Sequence, residues 1–369
     1  MSKTDKKKKQ NVFLRIIKLF SMFLGFLLIL IPVVLCIILY IFNPVHVNDN
    51  ILLLNEVDGI SYSDDGSFYI EVRRGESAQS VGLRLERAGL IKNRYIWNIL
   101  CRLEKEHIKT GTYRIELPSR QISILKTLVS GRQELYRVLI PEGVTLKKMA
   151  RILEEAGICY IDDFLAAAHD KEIINHYNIH SSALSMEGYL FPDTYLFPKN
   201  YPANMTVRKM ADNFFERLES ISPSLRELNP RELNRIVIIA SIVEREYRLI
   251  EEASLMSGVF HNRLRINMAL QSCATVEYII TEIQGKPHPS VLFYQDLEIR
   301  NPYNTYIYPG LPPGPISAPG YVALRAAVYP ENTSFLYFRL TDPASGKHYF
   351  SSTFDEHIRA GQLITKPSW

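Results

Sequence analysis

The sequence predicts an α+β protein carried on an N-terminal transmembrane helix, and three observations predict it. Leu19 to Phe42 is a 24-residue stretch without a charged side chain, directly behind a basic tail. A strand-glycine-helix segment around Gly75 returns 68 residues later around Gly143. From about Ser181 onward, helical periodicities alternate with loops rich in Pro, Tyr and Gly.

The anchor comes first. At about 1.5 Å per residue, residues 19–42 reach roughly 36 Å, enough to cross a hydrocarbon core of about 30 Å with a modest tilt. Pro32 inside the stretch is tolerated in lipid. Residues 1–18 carry Lys3, Lys6, Lys7, Lys8, Lys9, Arg15 and Lys18 against Asp5, a net +6 that keeps this tail on the cytoplasmic side. A cleaved signal peptide would have a shorter apolar core and a small-residue cleavage site, whereas Tyr40-Ile41-Phe42-Asn43-Pro44 follows here. The expectation is a single-pass anchor in the cytoplasmic (inner) membrane with the remaining domains extracytoplasmic. With the whole chain at +4, everything beyond the tail sums to −2. The basic balance therefore belongs to the tail and gives no support for nucleic-acid binding.

Residues 43–66, with Asn48, Asp49 and Asn50 early and Ser61 to Gly66 late, read as a linker leading away from the bilayer. The repeat then begins. Val72 to Ser77 and Leu85 to Leu90 return as Ile140 to Thr145 and Leu153 to Ile158, with 14 residues from Gly to Gly in both copies. Each copy predicts an apolar strand, a Gly turn, a capping Ser77 or Thr145, an amphipathic helix stopped by Gly89 or Gly157, and a second helical stretch. Gly111 to Leu117 supplies a closing strand to the first copy. This β-α-α-β order over residues 67–180 resembles the LysM module, a small fold that binds N-acetylglucosamine-containing glycans. Two such copies serve equally well as rigid spacers. The cysteines add no framework: Cys36 lies in the anchor, and Cys101, Cys159 and Cys273 are scattered without CxxC spacing and read as buried free thiols.

Residues 181–369 predict a mixed α+β domain, with helices over Thr206–Leu218 and Arg231–Tyr247 and a hairpin formed by Ser334–Leu340 and His348–Ser351. Glu244 closes the apolar run Ile236 to Val243. On a helix it shares a stripe with Val237, Ala240 and Ser241, where an apolar surround favours the protonated acid. A free Glu is protonated roughly once in 500 at pH 7, whereas general-acid work wants a pKa near 6 to 7. A Glu at a helix end is more commonly just solvated, so position alone leaves both readings open.

Signatures for nucleophilic serine, zinc and nucleotide chemistry are missing: there is no GxSxG, HExxH, Walker loop or GxGxxG, and the nine histidines lack metal-ligand spacing. The expectation is an enzyme with no cofactor and no metal. Around Glu244 lie polar-aromatic loops: Glu187 to Tyr195, Leu270 to Val276, and Asn301 to Tyr306 leading into Gly310 to Ile316. Flat rings with amide and hydroxyl groups suit the faces and edges of sugars, although structural loops with buried Tyr and Pro look similar.

In order, Glu187–Tyr195, Ala240–Glu246, Val259–Leu264, Leu270-Gln271, Asn304–Tyr306 and Gly310–Pro315 resemble the catalytic domain of the MltG-type (YceG-like) endolytic murein transglycosylases. The anchor and the LysM-like region match that family's architecture too. The resemblance implies that Glu244 is the single catalytic acid. It also implies cleavage of the MurNAc-β-1,4-GlcNAc bond within nascent peptidoglycan strands, leaving 1,6-anhydro-MurNAc ends and terminating elongation beside cell-wall synthases. Glu187, Tyr189, Asp193, Gln271, Asn304 and Tyr306 are the residues expected to contact sugar. One departure stands out: Cys273-Ala274 occupies the place where many members carry Asp-Pro, so no role of that Asp is carried over. Hydrolysis with Glu187 or Asp193 as a second carboxylate, about 5 Å or 6.5–9.5 Å from the first, stays open. So does a non-catalytic glycan-binding scaffold.

Overall fold

The computed structural model of the protein describes residues 3–44, 57–62, 66–104, 107–133, 135–180 and 183–363. Most of the linker expected over residues 43–66 lies outside them. The chain forms two compact units, Met1–Gln133 and Glu134–Trp369.

The first unit opens with α1 (Lys3–Phe42), which contains Pro32. Its Lys18–Cys36 stretch is long and apolar enough to cross a membrane. Strands β1 (Ile60–Tyr62) and β2 (Ser67–Val72) follow, then α2 (Ala78–Arg87), α3 (Arg94–Leu103), β3 (Gly111–Glu116) and α4 (Gln121–Ser130). The three strands form an antiparallel sheet in the order β1-β2-β3. Helix α2 starts where Ser77 accepts the Ser80 N–H, and stops where Gly89 takes φ +66°, a conformation that favours glycine. Trp97 of α3 fills the core and donates from its indole to the Ala78 carbonyl at 2.8 Å. Burying a side chain of that size contributes about 2–3 kcal/mol. Gly82 is required opposite it, since a Cβ there would lie 2.3 Å from the Trp97 ring.

The second unit begins with β4 (Tyr136–Leu139), α5 (Leu146–Glu155), α6 (Ile161–Ala168) and α7 (Lys171–His176). Strand β5 (Thr194–Phe197) then pairs antiparallel with β4, Tyr136 opposite Phe197 and Leu139 opposite Thr194. The second copy thus repeats the strand, the Gly turn (Gly143, φ +71°), the cap (Thr145 accepting the Lys148 N–H) and the helix stop (Gly157, φ +71°). The compact units divide between the two copies, not after the second, because β4 takes its ladder partner from beyond residue 180.

Helices α8 (Ala203–Ile221), α9 (Pro230–Glu246), α10 (Ala253–Arg265), α11 (Cys273–Tyr278) and α12 (Tyr321–Val328) complete the core of this unit. Hairpin β6 (Tyr337–Asp342) and β7 (Lys347–Ser351) and helix α13 (Phe354–Ala360) close it. Helix α9 is central. Asn229 caps its start by accepting the Glu232 N–H, Pro230 occupies the first turn, and Val237 through Val243 are all buried. A helix apolar on every side belongs inside a protein, and α9 packs against α10, α11 and α12.

Candidate active site

Glu244 stands in the last turn of α9, directly after the buried run. Its Oε2 accepts the N–H of Gly320 at 2.9 Å. Gly320 caps the start of α12. Burial, opposed by that hydrogen bond and by Arg245 and reinforced by the carboxylate of Glu142, pushes the Glu244 pKa up to about 8. At pH 7 the protonated form then outnumbers the ionised one by about ten to one. Desolvation is the dominant cause.

Two backbone segments are strapped over the end of α9. Ser241 is fully buried; its hydroxyl donates to the Ile238 carbonyl at 2.8 Å and accepts the Ile316 N–H at 3.1 Å. The Ser317 hydroxyl donates to the Ser241 carbonyl at 3.0 Å. The turn before α5 joins from the other side: Gly143 N–H donates to Ala318 O at 2.9 Å, and Ala318 N–H to Val144 O at 2.8 Å. These straps seat Glu142 against Gly320, where an added Cβ would stand 1.9 Å from Glu142 Oε1. Chained through Gly320 with ordinary covalent geometry, the Glu142 and Glu244 carboxylates lie within about 7 Å of each other. Tyr247, just past α9, is raised by burial and by both of these carboxylates. Arg245 turns aside, with Nη2 on Glu277 at 2.8 Å and Nη1 donating to Gly143 O at 3.3 Å.

The other residues expected at the site divide sharply. Tyr189 has no exposed surface; it packs edge-on to Phe214 and donates to Asn234 Oδ1 at 2.8 Å. Asn304 is equally buried, with Nδ2 donating to Leu297 O and Ile299 O, both at 2.9 Å, and Oδ1 accepting the Tyr306 N–H. Neither offers a surface to a sugar, since both spend their polar atoms inside the fold. Glu187 is buried at the start of α5, where it accepts the Leu146 N–H at 3.2 Å and burial pushes it up to about 8. Asp193 is bound by Arg217 at 3.0 Å, by Asn213 at 3.1 Å and by the Thr194 N–H, and these partners hold it below the usual carboxylate range. Neither acid is among the groups acting on Glu244; Glu142 is.

Residues 70–362 match the YceG-like family. The chain belongs to that family. It is 28% identical over 322 residues to an endolytic murein transglycosylase of Streptococcus pneumoniae serotype 2 (strain D39 / NCTC 7466), covering 79% of this chain and 57% of the relative. A second, of Bacillus subtilis (strain 168), is 27% identical over 308 residues, covering 79% and 83%. The crystal structure of a YceG-like protein from Listeria monocytogenes superimposes with a TM-score of 0.54 at 30% identity, covering 79% of this chain and 98% of that one. The chain spans little more than half the length of the Streptococcus pneumoniae relatives it matches.

This YceG-like chain carries a second polar cluster two residues beyond Glu244. Glu246 accepts the Ser272 hydroxyl and is raised chiefly by burial. Ser272 and Gln271 are held in turn by Thr305, through its Oγ1 at 3.1 Å and its carbonyl at 3.0 Å. Gln271 is exposed and left-handed, with φ +52°. Tyr306 is half-buried, and its hydroxyl lies 3.1 Å from Cys273 Sγ. Of the residues expected to contact sugar, Gln271, Tyr306 and Asp193 keep their side chains at a surface, Asp193 with its carboxylate taken by Arg217 and Asn213. Cys273 is exposed as well, against the expectation of a buried thiol, whereas Cys101 and Cys159 are half-buried.

Proposed function

We propose that this chain is an endolytic murein transglycosylase, cutting the MurNAc-β-1,4-GlcNAc bond within nascent peptidoglycan strands. The observation that carries the reading is Glu244, an acid at the end of α9 whose pKa burial raises and which accepts the Gly320 N–H, in a chain whose relatives bear that name. Glu244 gives its proton to the bridging oxygen as the bond from that oxygen to the muramyl C1 breaks. The carboxylate left behind takes the proton of the muramyl C6 hydroxyl, and O6 closes on C1. The products are a 1,6-anhydro-MurNAc end and a free GlcNAc hydroxyl; Glu244 is reprotonated and no water is consumed. Gln271 and Tyr306 orient the sugar from the neighbouring loops. The two LysM-like copies hold glycan or space the catalytic unit from the bilayer. Anchorage in the cytoplasmic membrane with the N-terminus inside confines cleavage to glycan near its site of synthesis, which fits termination of elongation beside cell-wall synthases.

The test is to incubate the purified protein with uncross-linked glycan strands and read the new ends by mass spectrometry, beside Glu244→Gln. Anhydro ends that vanish in the variant support the lyase. Reducing ends would instead indicate two-carboxylate hydrolysis, a reading that the nearness of Glu142 favours over Glu187 or Asp193. Full activity in the variant overturns the site assignment, and intact strands in both overturn the activity.

A further inference from the structure

We infer that Glu142 is a second functional carboxylate of the Glu244 site, a fixed negative charge strapped to the start of α12 that keeps the acid in its proton-carrying form. Its role is positioning, exercised through Glu244, and its link to bond cleavage rests on the proposed transglycosylase activity.

The geometry is specific. The turn bearing Glu142 is tied to the segment before Gly320 by two reciprocal backbone hydrogen bonds, at 2.9 and 2.8 Å between residues 143–144 and Ala318. Gly320 then serves both acids, giving its N–H to Glu244 and its bare Cα to Glu142. The groups facing Glu244 are the Gly320 N–H, Glu142, Arg245, Tyr247 and the Gly143 backbone. Among them Arg245 is the cation, and its guanidinium is spent on Glu277 and the Gly143 carbonyl. A negative charge is thus held near the acid, while Arg245, the cation acting on Glu244 among the described residues, opposes it with a guanidinium already bonded to Glu277 and Gly143. The repeat strengthens the point: the residue before the turn glycine is Arg74 in the first copy and Glu142 in the second, a reversal of charge on the same backbone turn.

A carboxyl-13C titration decides the matter without relying on activity. The full-length protein, labelled at glutamate and held in detergent, is titrated by NMR, with Glu244→Gln identifying the Glu244 resonance. Glu142→Gln should lower the Glu244 midpoint by about half to one pH unit at low salt. The difference should shrink in 0.5 M salt, because Glu142 is exposed. Glu142→Asp should restore part of it. Gly320→Ala retains both acids but puts a methyl where Glu142 Oε1 stands, and should lower the midpoint by a smaller amount. In strand cleavage, the alkaline limb of the pH profile should move with the midpoint. A midpoint unchanged in a folded Glu142→Gln protein overturns the inference. If that variant does not fold, an unchanged midpoint in Gly320→Ala does so. Wild-type protein that cleaves no strands would sink the proposed activity while leaving the titration to judge Glu142.

Discussion

The two copies of the repeat share a backbone and differ in what their turns are wired to. In the first, Glu76 is drawn inward: Arg84 of the following helix donates to it at 3.0 and 2.6 Å and Ser80 at 2.9 Å. Arg84 also reaches the Glu71 carbonyl at 2.6 Å, so the turn, the helix and β2 are bound to one another. In the second copy the turn bonds outward, to Ala318 and Arg245, and brings Glu142 to Glu244. One supersecondary unit therefore does two jobs. In the first copy the turn is closed on its own helix and strand; in the second it is opened toward α9 and the candidate site.

The largest effect that tests this contrast is Glu244→Gln. Losing a general acid and base should lower the rate of strand cleavage by about 10²- to 10⁴-fold, with α2 and α5 still protected from hydrogen exchange. Next comes the inward wiring. Arg84 and Glu76 are only 12% and 11% exposed, and Arg84→Met strands a carboxylate there. We expect a loss of about 2–3 kcal/mol in denaturant unfolding of the first unit, with cleavage within twofold of wild type on soluble strands. A comparable loss of cleavage would mean that the first turn is part of the working site, and the contrast would fail.

Much of this could be read along the chain. The anchor follows from a charge-free run, the repeat from a 68-residue offset, and α9 from an apolar stretch behind Asn229-Pro230, within a residue of its expected start. Glu244 could be singled out as a candidate because it directly follows a buried apolar run of its own helix. Glu142 could not, because it sits in an exposed turn 102 residues upstream and meets Glu244 through a third segment at Gly320. The charge reversal from Arg74 to Glu142 between copies was the available signal. Tyr189 and Asn304 were chosen by residue type, which does not distinguish a ring or amide offered to sugar from one spent on Asn234 or on the Leu297 carbonyl. Only the packing of three separate segments decides that.

The pH dependence of stability sharpens the contrast further. Glu244 is pushed from an ordinary 4.5 to about 8 in the folded protein. The folded state therefore binds more protons than the unfolded chain between those values, so stability is lost as pH rises from about 4.5 to about 8. Glu244→Gln removes that loss. Relative to wild type, the second unit should gain about 1–3 kcal/mol between pH 5 and 8, discounted for partial solvent access. A gap that stays flat or narrows with rising pH would show that Glu244 is not held protonated.

The smallest effect compares the two caps, Ser77 and Thr145, which perform the same local task on α2 and α5. Replacing either with Ala should cost about 1 kcal/mol. Ser77→Ala should reduce hydrogen-exchange protection in residues 78–87 and leave cleavage unchanged, since the bonds of that turn run to Ser80, Arg84 and β2. Thr145→Ala should loosen residues 146–155 by the same amount and also slow cleavage severalfold, because the start of α5 holds Glu187 through Leu146 and continues into the turn that carries Glu142. Equal losses of protection with unequal losses of rate would separate a structural cap from one whose turn also builds a site. Equal effects on rate would dissolve the distinction between the copies.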